Sequence, residues 1–173
     1  MSFSHTRRVV YLGLATGLAL GLHLFEAMIP MPTDIMVPGV KLGLANIVTL
    51  YVIMNFGTRD GIVISILRTL LGSLFSGTFM TPTFYFSFTG GVVSAIVMGL
   101  LYRFASKHLS MMGISLVGAV THNVAQLSIA ALMIEQELIL LYLPVMLFAA
   151  LPTGAFVGLV TGKVHKHFAF HKG

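Results

Sequence analysis

Two cations and one polar triplet stand in stretches of this chain where nearly every neighbour is apolar. Lys41 follows Pro38-Gly39 at the opening of an apolar run, with Asn46 about a turn and a half further on. Arg68 lies about midway through Ile66-Leu67-Arg68-Thr69-Leu70-Leu71-Gly72. A cation at membrane depth costs at least ~2.5 kcal/mol on insertion scales, so it snorkels to the interface or faces a cavity and an anion there. At Lys41, a helix start, both readings stand. At Arg68 ligand or cavity contact is expected, with a structural ion pair as the plainer alternative. The third constellation is Thr121-His122-Asn123-Val124-Ala125-Gln126. His122 and Gln126 are i,i+4 neighbours and Asn123 and Gln126 are i,i+3, giving a polar patch that either meets a ligand or bonds to another helix.

The elements that must carry these groups follow from composition. Of 173 residues, 57% are hydrophobic and 9% charged, and the mean hydropathy is +0.96, which no single soluble core can hide. Lipid must serve as solvent. There is no cysteine, which excludes disulfides, thiolate nucleophiles and zinc-cysteine sites. The net charge of +5 comes from singly spread basic residues and fits membrane topology better than nucleic-acid binding.

Counting about 20 residues per crossing predicts an all-α membrane protein of six spans, one integral domain over 1–173, with spans approximately at 8–29, 40–56, 61–76, 83–102, 111–134 and 138–161. The first resembles a signal peptide at Arg7 and Arg8, but its apolar run is too long and is expected to be retained. Arg7, Arg8, Arg59, Arg103, Lys107, Lys163, Lys166 and Lys172 all fall on one side, which predicts cytoplasmic termini in a multi-pass protein of a prokaryotic-type cell membrane. Lys41 and Arg68 are the cations this rule leaves unassigned.

In the first span, Gly13, Gly17 and Gly21 share one side within about 80°, and Ala15 and Ala19 lie on the other. One face is expected inside the bundle and one against a partner protein. His23 and Glu26 follow near the outer end, where Glu26 is read as interfacial, with a solvated helix end as the plainer option. The segment Pro30 to Pro38, with three prolines, is a connector or a lid. Phe84 and Tyr85 open the fourth span as an interfacial belt or, secondarily, a stacking surface for a flat ligand. Pro144 and Pro152 suggest kinks in the sixth.

Four segments, PGVKLGLANIVTL (38–50), LRTLLGSLFSGTF (67–79), TPTFYFSFTGG (81–91) and GAVTHNVAQL (118–127), together resemble the Gx transporter family, often labelled heptaprenyl diphosphate synthase component I. That family is similar to the S components of energy-coupling factor (ECF) transporters. The resemblance implies a six-helix protein that captures a vitamin-like compound outside and works with a scaffold transmembrane subunit and two ATPases. It also implies that Ala15-Thr16-Gly17-Leu18-Ala19 matches the Ala-x-x-x-Ala face such proteins offer to the scaffold, while His23 replaces an expected aromatic or aliphatic residue.

Two function classes compete. The importer reading accounts for cations in the outer half, a small-residue face and the lack of a P-loop. An enzyme is not expected, because synthases of polyprenyl diphosphates hold magnesium with clustered carboxylates, and none of the 5 acidic residues here adjoins another. The alternative is a membrane subunit associated with polyprenyl diphosphate or quinone synthesis without transport. The expected substrate contacts are Lys41, Asn46, Arg68, His122, Asn123, Gln126, His23, Glu26, Phe84 and Tyr85. The cations favour an anionic group and the apolar walls a hydrophobic body, as in isoprenoid diphosphates, quinone precursors and flavins. The chain is expected to have no cofactor of its own. Haem as transported ligand would use His23 or His122 as axial ligand, although hydrogen bonding within the bundle is the plainer role of either histidine.

Overall fold

The computed structural model describes residues 5–28 and 44–170, and the regular elements among them are all helical. They are α1 (His5–Ala27), α2 (Asn46–Phe56), α3 (Thr58–Phe75), α4 (Pro82–Ala105), α5 (Met111–Ile134), a 3₁₀ segment (Glu137–Tyr142) and α6 (Leu143–Phe170). Lys41 and the Pro30–Pro38 segment lie outside the described residues.

The molecule is apolar outside and polar within, the reverse of a water-soluble domain. Leu14, Leu18, Phe75, Phe104, Leu132 and Phe148 are exposed, whereas Glu26, Arg68, His122 and Gln126 are buried. Only lipid rewards that arrangement, and in lipid the backbone must satisfy its own polar groups, which a helix does within one segment. Thr6–Glu26, Pro82–Ala105, Met111–Ile134 and Glu137–His167 are long and apolar enough to cross a membrane. This is a multi-pass membrane protein.

The six expected spans correspond to six helices, of which these four meet that length and hydropathy. α2 has 11 described residues, and α3, although 18 residues long, carries Arg59, Asp60 and Arg68. Several expected ends move by three residues or more: α1 begins at His5 rather than 8, α3 begins at Thr58 rather than 61, α4 runs to Ala105 rather than 102, and α6 begins at Leu143 and runs on to Phe170 rather than spanning 138–161. Local chemistry accounts for the joints. Gly57 sits at φ 102, where only glycine is unstrained, and its N–H donates to the carbonyls of Val52 (3.3 Å) and Ile53 (3.1 Å). Pro82 occupies the first turn of α4, where its missing N–H is not needed. Ser110 caps α5 by accepting from the Gly113 N–H at 3.1 Å. Of the two prolines in α6, Pro144 falls in the first turn and breaks nothing; Pro152 alone is interior. Next to it the Thr153 hydroxyl donates to the carbonyls of Ala149 and Ala150, both at 3.1 Å.

α3 packs on α1 and α4, α4 on α5, and α5 on α6, while α2 touches α1, α3, α4 and α6. Close approach rests on small residues: a Cβ added at Gly158 of α6 would lie 2.5 Å from the Met112 Cα of α5. The alternating helix directions leave one end of the bundle basic, with Arg8, Arg59, Arg103 and Lys107. The other end carries Glu135 and Glu137.

Candidate functional site

Five helices contribute polar side chains to one buried cluster in the acidic-end half of the bundle. At its centre Arg68 of α3, 2% exposed, donates from Nη2 to the Asn46 Oδ1 of α2 at 3.0 Å. Asn46 stands in the first turn of its helix, so its side chain reaches the guanidinium from the acidic end. Glu26 of α1 is 5% exposed, and its charge acts on Arg68. His23, one turn before it, lies against Gly72 of α3, where an added Cβ would overlap the imidazole.

The other wall is made by two adjacent glycines of α4. A Cβ at Gly91 would stand 2.8 Å from Ser65 Oγ and 3.2 Å from Arg68 Nη2, so the absence of a side chain is what lets the guanidinium lie against α4. A Cβ at Gly90 would stand 2.7 Å from Gln126 Cγ and 3.1 Å from His122 Cε1. Successive residues of a helix point about 100° apart, so the pair faces α3 with one member and α5 with the other. Arg68 and the His122/Gln126 patch are thereby packed against adjacent residues of α4.

Hydrogen bonding within the cluster is incomplete. The hydroxyls of Thr69, Ser73 and Ser94 donate to carbonyls of their own helices, at 2.9, 2.8 and 3.2 Å. By contrast, both amide atoms of Gln126, the Nε of Arg68 and the hydroxyls of Ser65 and Ser87 are buried with no hydrogen-bond partner among the described residues. Burying such a group unpaired costs about 1–3 kcal/mol. The unpaired set offers both donors and acceptors, so it suits a ligand head with both kinds of edge.

Several of the expected contacts have partners within the bundle. Asn123 turns away from the patch and donates from Nδ2 to the Met146 carbonyl of α6 at 2.9 Å, so it ties two helices together. Glu26 is not a solvated helix end, because α1 buries it against α3. Phe84 is 7% exposed and packs against the rings of Phe79, Tyr85 and Phe88 at 5.2, 5.3 and 5.6 Å between centroids, about two helical turns from Gly91. Tyr85 is partly exposed and its hydroxyl donates to Met80 Sδ at 3.3 Å. The outward small-residue face of α1 is also corrected. Ala19 has no exposure and joins Val48, Val52 and Ile64 in an apolar cluster that Ala15 borders, so this face belongs to the bundle. Gly13, Gly17 and Gly21 are the open side, where an added Cβ would meet nothing within 4 Å among the described residues.

The sequence reading missed Ser65, Ser87, Gly72 and the Gly90-Gly91 pair. The pair itself was the available signal, since each glycine inside a helix costs about 1 kcal/mol relative to alanine unless close packing repays it.

No curated protein and no solved structure matches the chain. Residues 15–164 match the family described as heptaprenyl diphosphate synthase component I, a span that holds the described members of the cluster from His23 to Gln126. The chain belongs to that family.

Proposed function

We propose that this protein is the substrate-capturing membrane component of an ECF-type importer, and that its cargo is a small amphipathic compound with an anionic head. The observation that carries the reading is the buried cluster around Gly90-Gly91, where Arg68 Nε and the whole Gln126 amide are buried without partners among the described residues. The head lies between them, its charge toward Arg68 and its neutral edge toward Gln126. Asn46 and Glu26 hold the guanidinium in place. The cargo enters from the acidic end, taken as the outside, and the basic end faces the cytoplasm of a prokaryotic-type cell. Having no P-loop, the chain relies on a scaffold subunit and two ATPases, and the Gly13/Gly17/Gly21 face is the surface on which the scaffold packs.

Isoprenoid diphosphates, quinone precursors and flavins fit this description. Haem remains in the set through His23 or His122, and a Soret band altered in both His23→Ala and His122→Ala would select it. The test is mass spectrometry of the compound that co-purifies in mild detergent, followed by its ATP-dependent uptake in vesicles holding the protein with its scaffold and ATPases. Uptake that proceeds equally without this chain would refute the proposal.

The family description favours a second reading, a non-transporting subunit of a polyprenyl diphosphate synthase. It requires that a soluble synthase partner gain activity when this chain is added and that no ATP-driven uptake occur.

A further inference from the structure

The basic end of the bundle holds a second feature, remote from the polar cluster. An open cavity of about 570 Å³ is lined by Arg8, Arg59 and Arg103, by Asn55, and by Gly57 and Thr58 at the start of α3. Its floor is apolar, with Ile53, Met54 and Phe56. From this arrangement we infer that the cavity binds a phosphate-bearing anion.

Three independent helices supply the arginines, and the packing that assembles them is specific. Gly99 of α4 lies against the Thr58 side chain, so the start of α3 is pressed onto α4 one turn before Arg103. Gly57, with its positive φ, reverses the chain so that the end of α2 and the start of α3 line the same space. α3 is an 18-residue helix whose N-cap is a glycine with no side-chain hydrogen bond to the first turn. Its first N–H groups therefore add their partial positive charge to that of the arginines.

The opposing charge nearby is Asp60, which accepts from Arg8 Nη2 at 2.6 Å. One carboxylate against three guanidiniums leaves a surplus of positive charge at the cavity. Arg103 sets its guanidinium 5.4 Å from the Phe104 ring centroid, which leaves its N–H edges for an oxygen ligand. Guanidinium forks and helix amides match phosphate oxygens in geometry and sign. The apolar floor adds a place for the hydrocarbon next to a headgroup, so the phosphate can come from an anionic lipid or from a soluble phosphate. The site does not depend on what the polar cluster carries.

The test uses the full chain, delipidated in mild detergent. It is titrated in one arm with phosphatidylglycerol, with phosphatidylcholine as control, and in a second arm with inorganic phosphate at constant ionic strength. Bound lipid is read by native mass spectrometry and the stabilisation by thermal unfolding. Phosphatidylglycerol is expected to bind and raise the midpoint, and R59Q plus R103Q is expected to weaken that binding by about tenfold or more. The control K163Q plus K166Q, on the α6 tail and absent from the cavity lining, should leave it unchanged. R59K plus R103K keeps the charge and should recover part of the affinity, which separates loss of the site from loss of the fold. Saturable binding of inorganic phosphate that the same double variant abolishes would also support the site and assign it to a soluble anion. Equal anion binding by wild type and R59Q plus R103Q, or an equal loss in K163Q plus K166Q, would overturn it.

Discussion

Arg68 and Asn46 are joined across α3 and α2 by a buried 3.0 Å hydrogen bond, with the Glu26 charge acting on the same guanidinium. The arginine is thus held by protein groups on one side while its Nε has no hydrogen-bond partner among the described residues on the other. Removing it takes a cation away from the buried Glu26. Arg68→Ala is expected to destabilise the fold by about 3–5 kcal/mol, and adding Glu26→Gln should recover part of that. Arg68→Lys keeps charge but not the fork, and should bind ligand more weakly than wild type. Denaturant unfolding in detergent and ligand titration on the folded variants check both statements; additive effects of Arg68→Ala and Glu26→Gln would show that the two charges are not coupled.

Gln126 separates a binding role from a structural one. Replacing it by leucine removes an amide that has no hydrogen-bond partner among the described residues and keeps most of the volume, so the ligand-free protein should be as stable as wild type or gain about 1 kcal/mol. Ligand affinity should fall at least tenfold. A destabilised Gln126→Leu that still binds normally would place Gln126 among the helix-to-helix contacts.

Asn123 is the contrasting case, since its amide is used on the Met146 carbonyl. Asn123→Ala should lower stability by about 0.6–2 kcal/mol, the range for hydrogen bonds between membrane helices, and leave ligand affinity intact. Thermal unfolding and the same titration read the difference.

Gly90 and Gly91 should not tolerate a methyl group. Alanine at either position gains helix propensity, about 1 kcal/mol, but drives a Cβ into Gln126 or Ser65 and costs about 1–3 kcal/mol in forced repacking, along with ligand binding. Gly17→Ala, where the added Cβ meets nothing among the described residues, should be neutral or stabilising. Comparing the unfolding midpoints of the three variants isolates close approach from propensity.

The outward glycine face predicts a separation of capture from transport. Gly17→Leu plus Gly21→Leu should fold and bind ligand, yet lose ATP-driven uptake because bulky residues hold a partner backbone away. Ala19→Leu should instead damage the fold, since Ala19 is fully enclosed by α2 and α3 residues. Normal uptake by the glycine double variant would remove this face from the scaffold contact.

Much of the fold was legible because lipid imposes it: apolar runs of crossing length must be helices, and α5 begins and ends at the residues the count predicts, 111 and 134. Arg68 was legible for the same reason, a guanidinium having few places to go in an apolar span. What one helix does to another was harder to read. Angular counting separates Gly13/Gly17/Gly21 from Ala15/Ala19 without saying which set turns inward, because both are small and apolar. It likewise puts Asn123 and Gln126 on neighbouring angles of α5, and only the position of α6 gives one a carbonyl and leaves the other without a partner among the described residues. Glu26 looked interfacial because it is near a helix end, while its burial depends on the helices packed on α1.

The Gly57 joint stands at one end of α2 and the Asn46 contact to Arg68 at the other. α2 leaves that joint at the basic end and reaches Asn46 some 16 Å away, at the length of an 11-residue helix. Gly57 also lines the arginine cavity. The arginine cavity and the buried guanidinium are thus served by opposite ends of one short helix, which packing on α1, α3, α4 and α6 holds in place.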